Sequence, residues 1–228
     1  SWRLFMNTVL VVAPHPDDET LGCGGTLLKH FNNGDHIHWL IMTRITEQSG
    51  FSQKSIQLKS SEIDQVAQRY QFETVTQAKL STMELDIVPK KILVNTVSEV
   101  INSVKPNIIY LPYRADIHSD HAAVFDAVSS CTKSFRYPFI KIVRAYETLS
   151  ETEFGISPDS RGFRPNLWHN ISDFIEEKIK IMKLYHGEMG QPPFPRSEKN
   201  IRALATLRGS TVGCDAAEAF MTLKEVIN

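Results

Sequence analysis

The chain has 228 residues, 42% of them apolar and 22% charged, which is enough for one core-forming domain and too apolar for a disordered tail. Lys and Arg number 25 against 26 Asp and Glu, so no bulk basic field exists to gather nucleic acid or an anionic membrane. Three scattered cysteines, Cys23, Cys131 and Cys214, exclude a disulfide framework, lack zinc-knuckle spacing and point to a reducing cytoplasm. No run of about 18 uncharged apolar residues predicts membrane insertion.

Thr8 to Ala13 is a β-branched apolar run that predicts a strand, followed by a loop and by helical spacing from Thr20 to Asn32 through Leu21, Leu27, Leu28 and Phe31. A turn at Asn33-Gly34 leads to a second strand, His36 to Met42, and a helix is expected from Ser60 to Arg69. The alternation continues with a weak strand at Glu73 to Gln77, a helix at Val88 to Val104, a strand at Asn107 to Leu111, a helix at His121 to Thr132 and a strand at Ile140 to Ala145. Strands alternating with helices predict an α/β, Rossmann-like three-layer fold with a mostly parallel sheet ordered 3-2-1-4-5. Beyond Ala145 the pattern loosens, with one clear helix at Ser172 to Tyr185 and a Pro-rich stretch at Gln191 to Pro195. We read residues 146–228 as a C-terminal cap within a single domain spanning 1–228, since no linker, repeat or low-complexity tract divides it.

Two clusters concentrate the chemistry. The first loop, Pro14-His15-Pro16-Asp17-Asp18-Glu19, holds one imidazole and three carboxylates where a dinucleotide fold would carry a phosphate cradle. Gly22, Gly24 and Gly25 miss that cradle's spacing, and the acidic residues would repel phosphate. They would attract a cation, because imidazole and carboxylate together are a common ligand set for zinc. The second cluster, Asp116-Ile117-His118-Ser119-Asp120-His121, follows the fourth strand. Strands one and four are neighbours in the expected order, with helices leaving on opposite faces, so both clusters meet in one crevice.

These residues, with Thr20-Leu21-Gly22-Cys23-Gly24-Gly25 after the first loop and His118-Ser119-Asp120-His121 in the second, resemble the LmbE-like, or PIG-L, family of zinc-dependent N-acetylglucosaminyl deacetylases. Ala216-Glu218-Ala219-Phe220 is similar to the family's closing segment. The resemblance implies a hydrolase that removes an N-acetyl group from an amino sugar or its conjugate. It further implies that His15, Asp18 and His121 bind Zn2+, that Asp17 is the general base, and that His118 faces the substrate carbonyl. Such a site leaves one position for water, whose pKa the metal lowers toward about 7. A protonated His118 would help stabilise the oxyanion, with Asp120 orienting and charging it. Other divalent transition metals suit the same ligands.

Arg44 and Glu47 after the second strand, and Arg114 after the fourth, lie at the same carboxyl edge and are candidates for binding sugar hydroxyls or an anionic aglycone. Arg208 is a further candidate. The expected partner is thus a small-molecule N-acetyl sugar or conjugate, with no nucleic acid and no membrane insertion, and with a homo-oligomer left open. Each acidic loop alone also fits a helix cap. His30, His36, His38, His169 and His186 lack neighbouring ligand types and read as surface or packing residues, although His169 or His186 could reach the pocket from the cap. Cys23 reads as packing. The rival to hydrolysis is a nucleotide- or sugar-binding α/β module whose acidic loop is an anchor.

Overall fold

The computed structural model describes residues 6–158 and 161–227. Among them, five strands pair in parallel in the order β3 (Thr74–Gln77), β2 (His36–Ile41), β1 (Thr8–Ala13), β4 (Ile108–Pro112), β5 (Ile142–Tyr146). This is the 3-2-1-4-5 order expected. β1 runs alongside β2 from Thr8↔His36 to Ala13↔Ile41 and alongside β4 from Val9↔Ile108, which ends both site-bearing strands at one edge.

The inner parallel strands β1, β2, β4 and β5 are mostly apolar on both faces because helices cover both faces, while β3 is an exposed edge strand. Val9, Val11, Trp39, Tyr110 and Tyr146 pack against α1 (Asp18–Asn32), α2 (Gln53–Tyr70) and α5 (Ile175–Met182). Leu10, Val12, Leu40, Ile109 and Leu111 pack against α3 (Lys90–Val104) and α4 (Ser119–Ser130). The helices after β1 and β4 therefore diverge to opposite faces, opening the crevice between those strands. Cys23 and Cys131 are fully buried, one in each core.

The C-terminal region departs from the expected cap. β7 (Ala217–Glu225) pairs antiparallel with β5, and β6 (Leu167–Asn170) pairs antiparallel with β7, so the sheet ends 4-5-7-6. Between these strands lie α5 and α6 (Glu198–Val212), the latter outside the sequence expectation. The expected helix at Ser60–Arg69 begins earlier, at Gln53, because Ser52 Oγ accepts the Ser55 N–H and caps it.

α1 lies close to the sheet on its glycines. A methyl group on Gly22 would sit 2.2 Å from Tyr146 Cδ2, and one on Gly25 would sit 2.6 Å from Ile171 Cβ. This close seating fixes the amino end of α1, where Asp18 begins the helix.

Candidate metal centre and active site

The loop after β1 turns sharply at Asp17, whose backbone takes φ 131° and ψ −28°. A non-glycine residue pays strain for such a conformation, of order 1–3 kcal/mol. The geometry also decides against a simple helix cap: Asp17 occupies the position before α1 yet its side chain accepts no backbone N–H there. Glu19 Oε2 accepts the Asp17 N–H instead, at 3.0 Å. Asp18 Oδ2 accepts the His15 N–H at 2.8 Å, which locks the loop.

His15, Asp18 and His121 converge. Asp18 Oδ2 lies 3.3 Å from His15 Nδ1 and 3.4 Å from His121 Nε2, and the ligand atoms of all three lie within 4.8 Å of one another. Each imidazole is held from behind by a carboxylate. His121 Nδ1 donates to Asp116 Oδ2 at 2.7 Å, and His15 Nε2 donates to Asp120 Oδ2 at 2.8 Å. A neutral ring that gives its one N–H to a carboxylate presents the lone pair of the other nitrogen, here in both cases toward Asp18. Among the described residues, the buried His121 Nε2 has no hydrogen-bond partner. Two inward lone pairs beside a buried carboxylate are a donor set that fits a divalent cation.

The electrostatics make the same demand for positive charge. Burial alone would lower His15, but hydrogen bonds to Asp120 and Asp18 outweigh it and raise its pKa to about 9. His121 is likewise raised against burial, chiefly by Asp18 and Asp116. Burial favours a protonated Asp18, yet His121 and His15 hold it well below the usual carboxylate range. Asp17 goes the other way: burial, then the charges of Asp18 and Glu188, raise it, with Arg196 opposing. Neighbouring carboxylates with opposite shifts suit a ligand beside a proton acceptor.

A second grouping, His15, His118 and Asp120, is also close enough to share an ion. Its carboxylate is already committed, because Asp120 accepts the Met83 N–H at 2.8 Å and the Leu85 N–H at 2.9 Å besides His15.

The expected role of Asp120 is corrected by these contacts. Its carboxylate orients His15, while its backbone N–H is what meets His118, donating to Nδ1 at 3.1 Å. Since His118 Nδ1 accepts, the ring is neutral with Nε2–H as donor. Burial and the charge of His15 also depress its pKa. The protonated His118 expected from sequence is replaced by a neutral N–H donor.

The two loops open into a cleft of about 510 Å³ lined by His15, Asp17, Asp18 and His118. Arg44 lines it, with a buried Nε that finds no partner among the described residues. Arg114 does not line it: this side chain is 58% exposed and forks onto Asp126. Glu47 lines an adjoining hollow of about 360 Å³, and Arg208 is bound to Glu147 at 2.7 Å beside another. Of the other histidines, His186 reaches the cleft and His169 does not.

Sequence reading missed the far wall, built by the segment between α5 and α6. Arg196 places Nη1 3.8 Å from Asp17 Oδ2 and donates through Nε to Glu188 O at 2.9 Å. Glu62 accepts the His186 N–H at 2.8 Å and pairs with Lys59 at 2.7 Å, tying this wall to α2. Asp116, noted in its cluster without a role, is the other miss; its spacing of five before His121 was the available signal.

Residues 10–132, more than half of the chain, match the family model PIG-L, GlcNAc-PI de-N-acetylase. The chain belongs to the PIG-L family. It is 24% identical over 229 aligned residues to diacetylchitobiose deacetylase of Thermococcus kodakarensis, covering 92% of this chain and 80% of that enzyme. The crystal structure of the conserved protein TT1542 from Thermus thermophilus superposes with a TM-score of 0.76 at 24% identity, over 98% of this chain and 97% of that one. GalB, the 4-carboxy-2-hydroxymuconate hydratase from Pseudomonas putida, shares the fold at TM-score 0.71 and 14% identity, over 98% of each chain. One fold thus hosts different named reactions, and the site must decide between them.

Proposed function

We propose that this PIG-L family member is a metal-dependent hydrolase that removes the N-acetyl group of an N-acetylated amino sugar or sugar conjugate. The observation that carries the reading is the pair of inward lone pairs, His15 Nδ1 and His121 Nε2, beside Asp18, with the Asp17 carboxylate, which caps no helix N–H and faces Arg196, next to them. The family's description as a GlcNAc-PI de-N-acetylase and the likeness to a diacetylchitobiose deacetylase supply the acetamide and the sugar.

His15, Asp18 and His121 would hold the cation, with zinc as our assignment. A divalent cation there polarises a carbonyl and lowers the pKa of water. Asp17 takes the proton of the attacking water. His118 donates a hydrogen bond from Nε2–H to the acetyl oxygen as negative charge develops on it, and keeps its proton. The new C–O bond forms, the amide C–N bond breaks, and Asp17 returns its proton to the departing nitrogen, leaving acetate and a free amine. Arg196 keeps the Asp17 carboxylate in place, and Arg44 faces the sugar or its substituent. Among the described residues no helix is long and apolar enough to cross a membrane, and the three cysteines are free, which supports our assignment to a reducing compartment such as the cytoplasm.

The test pairs elemental analysis with acetate release from a panel of N-acetyl sugars. Wild type should carry about one metal per chain and release acetate. Asp17→Asn should keep the metal and lose about 10²- to 10⁴-fold in turnover. Near-normal turnover in Asp17→Asn removes it as the base, and a metal-free, inactive protein after zinc reconstitution returns the chain to the binding-module reading.

A further inference from the structure

A second cavity, of about 260 Å³, opens on the α1 face of the sheet. Asn7 and Ile108, at the starts of β1 and β4, line it, so it lies at the opposite end of the strands from the catalytic cleft. Arg144 of β5, His169 of β6, and Lys29 and His30 of the last turn of α1 contribute its polar wall.

Arg144 is the anomaly. It is 7% exposed, yet no carboxylate makes a direct hydrogen bond with it. Nη1 donates to His169 Nε2 at 3.4 Å, the Tyr110 hydroxyl also meets the guanidinium, Nη2 is ion-paired with Glu225 Oε2 at 3.6 Å, and the buried Nε has no partner among the described residues. A buried guanidinium with open donors is costly unless something satisfies them.

Asp35, which also lines the cavity, is committed elsewhere. It accepts the Asn7 N–H at 2.7 Å, Asn7 Nδ2 at 3.1 Å and His30 Nδ1 at 2.6 Å. Lys29 donates once, to Asn170 O at 3.1 Å, leaving two ammonium protons. Basic residues in a last helical turn complement the helix dipole, which accounts for Lys29 and His30. Arg144, on a strand, has Glu225 as its ion partner at 3.6 Å, which still leaves its Nε open. The local field is positive enough to register on His169: burial first, then Arg144, His30 and Lys29, hold its pKa down at about 3.

We propose that this cavity is a binding site for a phosphate-type oxyanion, free or as the terminal group of a phosphate monoester, held by Arg144 and Lys29. The guanidinium fork and the ammonium come from different elements and supply the charge-assisted donors such a group takes. The proposal is independent of the reaction in the other cleft.

The experiment is titration of the metal-loaded protein with inorganic phosphate, followed by calorimetry and by the imidazole NMR signals of His169. Wild type should bind saturably and shift His169. Lys29→Gln, on an exposed helical turn, should weaken binding about tenfold, the worth of roughly one charge-assisted hydrogen bond. Arg144→Gln should abolish it, and Arg44→Ala, in the other cleft, should leave it unchanged. If Arg144→Gln does not fold, Lys29→Gln decides. Competition by glycerol phosphate assigns the site to monoesters as well, while exclusive binding of inorganic phosphate assigns it to the free anion. No saturable binding, or binding that ignores Lys29→Gln and is lost in Arg44→Ala, overturns the proposal.

Discussion

Lys178 Nζ lies 2.8 Å from Glu218 Oε1, and this buried pair is joined to the middle of α1. Glu218 accepts the N–H groups of Gly25 and Thr26 at 2.8 Å each, and Lys178 donates to Leu21 O at 2.9 Å. Leu21 O and Gly25 N are partners in a regular helix, and here each also has a charged side chain. α5 and β7, absent from the βα repeat that precedes them, thus hold the helix that begins at Asp18. Removing one member of a buried pair strands the other charge, so Lys178→Met should cost about 3–5 kcal/mol in a denaturant titration. A loss below about 1 kcal/mol would show that water reaches the pair.

The carboxylates behind the imidazoles should tune metal affinity without touching the ion. Asp116 Oδ1 also accepts Thr152 Oγ1 at 2.6 Å, so its orientation is fixed from two sides. Asp116→Asn should weaken metal retention about 10- to 100-fold in chelator competition, as such supporting partners usually do. Asp120→Asn should act the same way through His15, and unchanged affinity in both would remove the assignment of His15 and His121 as ligands.

The two arginines assigned to substrate should separate cleanly in kinetics. Arg44→Ala should raise KM with little effect on kcat, since it lines the cleft and is none of the groups assigned to the cation or the proton transfers. Arg114→Ala should leave both constants alone and change stability by less than about 1 kcal/mol, as expected of an exposed pair. Equal effects of the two substitutions would contradict the placement of Arg114 on Asp126.

His169 gives stability a definite pH slope. Its ring titrates near 6.5 when unfolded and is held at about 3 in the fold. Between those values the unfolded chain binds a proton that the native chain refuses, so the stabilising contribution is complete above about pH 6.5 and declines as the pH falls toward 3. The slope from this one group is at most about 1.4 kcal/mol per pH unit. Urea titrations across that window should show His169→Gln with a flatter dependence than wild type, and parallel curves would mean the ring is charged in the native state.

β1, β2, β4 and β5 were legible because both faces are covered, making each largely an apolar run bounded by turns, whereas β3 is a short, mostly exposed edge strand and reads weakly. The residues of the proposed metal site were legible because they are crowded within two short loops. What followed Tyr146 was not. β6 is four residues long with no alternation, and α6 buries only Ile201, Ala205 and Gly209, too thin a stripe to mark a helix. The first half of α2 was hidden for the same reason: Gln53 to Ser61 is nearly all exposed, and its cap rather than its pattern starts it. Arg196 and Glu188 could not be found from sequence because the loop that brings them to Asp17 is placed by packing between α5, α6 and α2. The bond from the Asp120 carboxylate to His15 was not legible because spacing gives proximity along a helix, as for Asp120 N–H to His118, whereas the bond to His15 crosses from one loop to another.

The glycine seating of α1 divides the cleft into a part that can vary and a part that cannot. Beneath Asp18 the helix has no slack: one added carbon at Gly22 or Gly25 collides with a ring or a branched side chain. The walls come from residues 44–59 on one side and 186–196 on the other, where the one comparable close approach among the described residues is Gly190 against Phe194. Substitution within those two segments, with Arg196 kept beside Asp17, is therefore the route by which this scaffold would acquire a different acyl donor or a bulkier conjugate, with the reacting floor left as it is. Substitution libraries confined to the walls should yield folded variants with altered selectivity, and libraries aimed at the floor should yield mostly unfolded chains.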